Sequence, residues 1–587
     1  MQKKAYLLLL FVLSASYGIS QTTYLPMGSD DYLLLDRLET KSGRLCDSLR
    51  LSDKAESRKN AVNFVEMLNR NMADSADSSR YSRIDHYNMR QLLSENGEWT
   101  HDEDGFIKSK HPWFNTLYKY QYDFVHIKTK DFFLVMNPVL NGMSTIERNS
   151  PTVAGTSERL LCNNHDLEVR GWVGKKIGFY TCFTDNQEKV PAYIYNYTIK
   201  SNGRVGLPGA DYVLLPRNRS GYFDYLNASG YIDFAAIKDR VNITFGSGKH
   251  FIGDGVSSLF LTDFSANTPF LRLRTRIWKL NYETMYLELT GQFKKEKDTN
   301  YPHKFATMHS ISVNATKWLN IGFFEAVVFN RPNVYEIAYL NPVVFTLSLN
   351  SFNGGGDKSL LGFSAKIIAA KHIQLYGQVM LNEFKSSEFF SGKGWYGNKW
   401  GLLAGAKYFD AFGMKNLDLQ GELNAVRPYT YTAQDTLANY TNYNQPLADP
   451  LGAGFVKAVG IIRYQPIRNV TLTVKGMYYV QGSDTGHTNS GNNIFNNYAS
   501  APKGSNTYGV KLINGPKNTC SLININLSYQ VRRNMFIDAG IISRKFENTS
   551  NVYPNYSTAG DVYGPLNTNL TYLGLRINAA RRDYSFY

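Results

Sequence analysis

Three arginines, Arg272, Arg274 and Arg276, stand on alternate positions among Leu271, Leu273 and Ile277. Successive side chains of an extended strand point to opposite faces, so the three guanidiniums share one face about 7 Å apart. Arginine makes paired hydrogen bonds to carboxylates and phosphates. Such a face would hold an acidic polysaccharide or a phosphorylated glycan. It would equally form a structural ladder with carboxylates on other polar faces, such as Glu288, Asp418 and Glu422. The ladder is the favoured reading, because such networks are ordinary inside a barrel. Just upstream, Gly246, Gly248, Gly253 and Gly255 punctuate a turn carrying Lys249, His250 and Asp254, which could contact an anion or a sugar. A phosphate-binding glycine loop leads from a strand into a helix start. Here a loop and then a strand follow, so a nucleotide site is rejected. A loop folded inward to shape or close a lumen is favoured over direct ligand contact. Trp395, Tyr396 and Trp400 are the third candidate. Their rings would stack on sugars or anchor the chain at a membrane interface, the second being favoured.

Catalytic and metal chemistry has little footing. The ten histidines are scattered, with no HExxH, and there is no GxSxG turn. Cys46, Cys162, Cys182 and Cys520 include no CxxC, and are too few and scattered for a disulfide scaffold. No catalytic residue, metal or cofactor is expected, and the chain is not expected to be an enzyme. The net charge of +15 is not gathered into a basic tract, which with export from the cytoplasm argues against nucleic acid.

The elements that would carry these residues are strands. The chain has 587 residues and a mean hydropathy of −0.34, so a bundle of apolar membrane helices is excluded. From about Phe106 onward it breaks into short alternating runs. Ile523, Ile525, Leu527 and Tyr529 alternate with Asn524, Asn526, Ser528 and Gln530. Leu417, Leu419, Leu423 and Ala425 alternate with Asp418, Gln420, Glu422 and Asn424. About 16–18 such runs predict an antiparallel membrane barrel, apolar outside and polar inside. Aromatic residues near run ends, such as Trp278, Tyr282, Tyr286, Tyr478 and Tyr479, fit its interfacial girdles. Gln434–Gly452 and Gly482–Asn506 read as long extracellular loops. The final Asp583–Tyr587, ending in an aromatic, resembles the signal that barrel-insertion machinery reads.

Residues 1–20 read as a signal peptide, with Lys3 and Lys4 before an apolar Tyr6–Leu13 and small residues before Gln21. Residues 21–105 read as a small helical segment, facing the periplasm or plugging the barrel mouth. Val62, Val65 and Leu68 keep helical spacing, and Ser82 and Asp85 have capping-box spacing. Residues 106–587 are the predicted barrel.

The order of short motifs points further. G-K-H-F-I-G-D-G, S-L-F-L-T-D and P-F-L-x-L lie within Gly248–Leu273. Seven blocks follow, at Tyr339–Pro342, Leu375–Gln378, Asn382–Lys385, Gly394–Gly401, Lys407–Phe412, Arg427–Tyr431 and Asn444–Gly452. This series, spanning nearly all of the chain after about Tyr24, resembles the Wzi-type capsule-assembly family. It is most similar to the Bacteroidetes branch that includes RemB-like gliding-motility proteins. The resemblance implies an all-β outer-membrane barrel of about 18 strands with an N-terminal helical plug. It implies outer-membrane lipid and surface polysaccharide, acidic if the arginine face binds it, as partners, with capsule-export, gliding or secretion machinery as further candidates. An anion-biased diffusion channel is the main alternative, and an outer-membrane hydrolase a lesser one.

Overall fold

A computed structural model describes residues 23–73, 80–101, 105–110, 112, 116–148, 158–174, 176–200, 207–210, 222–291, 301–331, 334–343, 345–352, 356–484, 489–497, 507–549 and 566–586. The segment read as a signal, 1–20, lies outside the described residues, as do 74–79 of the segment read as helical and part of the 482–506 loop.

Alternation of polar and apolar residues produces strands here because each face has its own solvent. The wall has 18 strands. They are β1 (Phe132–Arg148), β2 (Glu158–Val173), β3 (Ile177–Lys189), β4 (Tyr222–Ile237), β5 (Val241–Gly248) and β6 (Thr268–Ile277). Next come β7 (Leu280–Thr290), β8 (His303–Asn314), β9 (Leu319–Phe329), β10 (Lys358–Ala370), β11 (Ile373–Glu383) and β12 (Lys399–Tyr408). The last six are β13 (Leu417–Val426), β14 (Phe455–Ile467), β15 (Val470–Gly482), β16 (Lys517–Arg532), β17 (Met535–Asn548) and β18 (Leu566–Ile577). Each pairs antiparallel with its sequence neighbour, and β18 closes on β1 from Leu140↔Ile577 to Arg148↔Asn569. A short strand, Val125–Lys128, pairs with the other end of β1.

Strand β16 shows the logic of the wall. Ile523 is 54% exposed and Asn526 only 1%, so the apolar face looks out and the polar face in. A soluble sheet would do the reverse. Connections alternate strictly: turns of two to eight residues at one end, stretches of nine to 34 at the other. The expected girdle is only partly present. Trp278, 80% exposed on a short turn, and Tyr478 face out, whereas Tyr479 points inward and Tyr286 is covered.

The N-terminal segment contains helices α1 (Asp30–Ser42), α2 (Arg58–Ala73) and α3 (Arg83–Glu95). Helix α1 stops at Gly43, whose φ of 76° suits a residue without a side chain. Helix α3 starts with the expected capping box: the Asp85 N–H donates to Ser82 Oγ at 2.9 Å, and the Ser82 N–H donates to the Asp85 carboxylate at 2.8 Å. The three helices share a small apolar core around Leu35, Leu38, Val62, Val65 and Leu92.

Candidate functional site in the lumen

The pleat turns Arg272 and Arg274 inward, where Glu283 of the adjacent strand stands between them. Arg274 Nε donates to Glu283 at 2.7 Å, Nη1 donates to the Ala55 carbonyl at 2.5 Å, and Nη2 lies 3.2 Å from Asp53. Its guanidinium also sits 5.0 Å from the Tyr24 ring centroid. Arg272 lies 3.6 Å from Glu283 and 2.6 Å from His250 Nδ1. These two arginines therefore bind the wall to the N-terminal segment and the glycine loop. Arg276, nearer the short turn, is half-buried.

The 249–267 connection folds into the barrel. Ile252 and Leu261 bridge its two limbs, and Leu259, Phe260 and Leu261 are buried. The Gly253 N–H donates to the Ser52 carbonyl at 2.6 Å, and Ser52 Oγ donates to Asp254 at 2.7 Å. Glu422 accepts from the N–H groups of Val256 and Ser257 at 2.9 and 3.0 Å. A Cβ at Gly255 would meet the Glu422 carboxylate and come 2.9 Å from the Tyr376 ring, so a larger residue there would push these side chains aside. The inward loop read from the glycines is thus present. His250 is buried beside Thr268 and Arg272, Asp254 faces Lys366 and Ser52, and Lys249 Nζ donates to the Asp263 carbonyl at 3.0 Å.

A charge seam holds the helices at the short-turn mouth. Arg37 contacts Asp85, Asp410 and Asp418, while Lys41 contacts Asp85 at 2.8 Å and Asp410 at 2.6 Å. Asp36 meets Lys407 and Lys366, and Glu39 meets Lys366 at 2.9 Å. Burial disfavours charge on Asp36, Asp85 and Asp410, yet the surrounding cations outweigh it and hold all three below the ordinary 3.8. Depressed carboxylates contribute stability above their unfolded pKa and lose it as pH falls toward the folded one. The seam is therefore expected to weaken below about pH 4. Limited proteolysis in acid should cut the helical segment before the barrel; equal resistance at pH 3 and pH 7 would refute this. Glu56 acts in the opposite sense. Burial raises it to about 7, so its contribution is lost as pH rises through that value.

Above the inward loop, on the long-connection side, lies a cavity of about 380 Å³. Lys249, Lys475 and Arg582 bring positive charge to it, Phe264 and Tyr225 bring rings, and Asn186 and Asn227 bring amides. Part of its wall is the C-terminal tail. After Ile577 the chain turns into the lumen. Asp583 lies 3.3 Å from Lys475, Tyr584 donates to Glu188 at 3.0 Å, and Phe586 packs on Phe264 at 5.4 Å. The sequence reading missed this because nothing in the tail has a period. Its only signal is the polar Arg581-Arg582-Asp583 after an apolar strand.

The third candidate splits in two. Trp400 pairs with Leu381 and shares the outer face with exposed Leu402, as an interfacial anchor would. Trp395 and Tyr396 belong to the long-connection crust, where Tyr396 meets Tyr429 edge-on at 5.7 Å. The 434–452 connection is not a free loop either. Tyr440 donates to the Phe260 carbonyl at 2.7 Å and the Thr262 N–H to the Leu447 carbonyl at 2.7 Å, so it lies over the inward loop.

A scan against protein-family models finds no match, and neither does a search of curated proteins. Among solved structures, the chain is similar to Wzi of Escherichia coli, described as an outer-membrane protein involved in group 1 capsule assembly and a carbohydrate-binding β-barrel. That match has a TM-score of 0.52 and 13% identity, over 96% of this chain and 100% of that one. Pseudomonas aeruginosa OpdQ matches at a TM-score of 0.38 and 8% identity, over 76% and 97%. OprD of the same organism matches at 0.38 and 11%, over 76% and 94%. The fold is that of Wzi, and a closed barrel with an apolar outer face resides in the outer membrane.

Proposed function

We propose that this chain binds an acidic surface polysaccharide at the long-connection end and holds it to the cell, as a binding protein rather than a catalyst or a channel. The observation that carries this reading is the cavity over the inward loop. It combines cations at Lys249, Lys475 and Arg582 with the Phe264 and Tyr225 rings and the Asn186 and Asn227 amides. Cations suit uronate or other acidic groups, rings suit the apolar faces of sugars, and amides suit hydroxyls. The similar Wzi barrel is described as carbohydrate-binding, and the lumen below the cavity is occupied by chain, which disfavours steady diffusion. The order of motif blocks supports the RemB-like branch, with gliding or adhesion as the process served and an export, motility or secretion complex as partner.

Lys249→Gln combined with Lys475→Gln tests the site. Binding of an acidic polysaccharide to the purified barrel should fall about tenfold, equivalent to about 1.4 kcal/mol. Heat-resistant migration on gels should be unchanged. Unaltered binding in a folded double variant would overturn the site. A deletion strain that keeps its surface polysaccharide and spreads normally on agar would overturn the function.

A further inference from the structure

The described part of the connection between β9 and β10 lies against the outer wall. Inward Glu283 fixes the parity of β7, so Tyr282, Thr284 and Tyr286 face outward, and pairing carries that face to Thr307 and His309 and on to Glu325. Thr284, His309 and Glu325 are nevertheless buried. What covers them is residues 334–343 and 345–352, laid down the outer wall. Tyr286 donates to the Leu340 carbonyl at 2.9 Å, Thr307 to the Tyr339 carbonyl at 3.0 Å, and Tyr282 to the Pro342 carbonyl. Glu325 accepts from the Thr346 N–H at 2.8 Å and from His309 Nδ1 at 2.9 Å. Phe305, Val327, Phe329 and Tyr339 form a separate apolar core beneath the segment.

Its depth and outer surface identify its surroundings. Tyr282 stands two residues from the short-turn start of β7 at Leu280, so the segment runs most of the height of the wall. Its outward side chains include Ile337 at 81% exposure and Val343 at 78%, with Val334, Leu340, Phe345 and Leu347. Among the described residues, the polar ones exposed with them are Asn341 and Ser348, and none is charged. Arg331, Glu336 and Asp357, the charges of the connection, pair with one another at its long-connection end. Irregular backbone survives in hydrocarbon only where its polar groups are bonded. Here the Tyr282, Tyr286 and Thr307 hydroxyls and two short helices, Ile337–Leu340 and Thr346–Phe352, serve that need. A bare His309–Glu325 pair facing lipid would be costly.

We propose that residues 334–343 and 345–352 form a flap within the hydrocarbon layer of the outer membrane, shielding a polar strip of the wall, and that the partner of its outer face is lipid acyl chain. The Tyr339–Pro342 motif places its backbone carbonyls on the three outward hydroxyls.

The test uses the full chain reconstituted in phosphatidylcholine vesicles, with Ile337→Trp and Val343→Trp made separately and Gln434→Trp as a control above the barrel. Emission beyond that of the parent chain is measured with acyl chains brominated at known depths and with aqueous iodide. The flap predicts at least twofold stronger quenching by bromine than by iodide at positions 337 and 343, and the reverse at 434. Iodide quenching at 337 and 343 would place the segment in water and overturn the proposal. Protection from both quenchers would mean that protein, such as a second copy, covers the face, and would overturn acyl chain as the partner. Two positions are used so that one variant failing to fold leaves the other to decide.

Discussion

A chain lacking residues 23–97 is expected to insert as the same barrel and to conduct ions, where the full chain gives no steady current. An 18-stranded wall encloses room for an aqueous channel, and here that room is filled by chain. The helices close the short-turn mouth, and Ser52 holds the tip of the inward loop through Gly253 and Asp254. Removing the segment therefore opens the mouth and releases the tip of the loop from Ser52. It also alters the charge facing the opened lumen: Lys366 and Lys407 lose Asp36, Lys366 loses Glu39, and Arg274 loses Asp53. Asp410 and Asp418 lose Arg37, but they stand on and beside the short turn at the mouth. The pore should favour anions, read as a reversal potential under a salt gradient across a planar bilayer. An intact chain with a large stable pore, or a truncated one with none, would refute the plug.

The second large effect is expected at Arg37. Its guanidinium faces three carboxylates and is almost wholly buried. Arg37→Ala would leave Asp85 and Asp410 sharing Lys41 and take from Asp418 its ion pair with Arg37, and loss of one partner of a buried network costs about 3–5 kcal/mol. The helices should then detach at lower denaturant, with proteolysis of the segment and intermittent current as readouts. Lys59→Ala is the control. Its pair with Asp239 lies 2.8 Å apart but is open to solvent, and such pairs contribute about 0–1 kcal/mol. Equal effects of the two substitutions would show that the seam does not hold the plug.

The wall was legible because period 2 reports solvent on each side of a strand. Ile523–Tyr529 and Leu417–Ala425 read as wall strands and are β16 and β13. The Ser82–Asp85 cap was legible because its chemistry is local. The contents of the lumen were not. Alternation marks Asn524, Gln374 and Glu422 as polar, but not whether water or folded chain meets them, and here chain does. Arg274 was found as one member of a face. Its partners Asp53 and Ala55 lie more than 200 positions away, and no spacing rule links them. The outer flap carries the Tyr339–Pro342 block, but a motif without a period does not say on which side of a wall it lies.

The C-terminal tail has a consequence for the order in which the molecule is made. Residues 578–586 follow β18, the strand that seals the barrel against β1. They reach Glu188 and Phe264 from the short-turn mouth, the same opening that α1–α3 block. The tail must be inside before that opening is stoppered. Residues 23–97, which precede the wall in sequence, are thus expected to take their place after residues 578–586, which follow it.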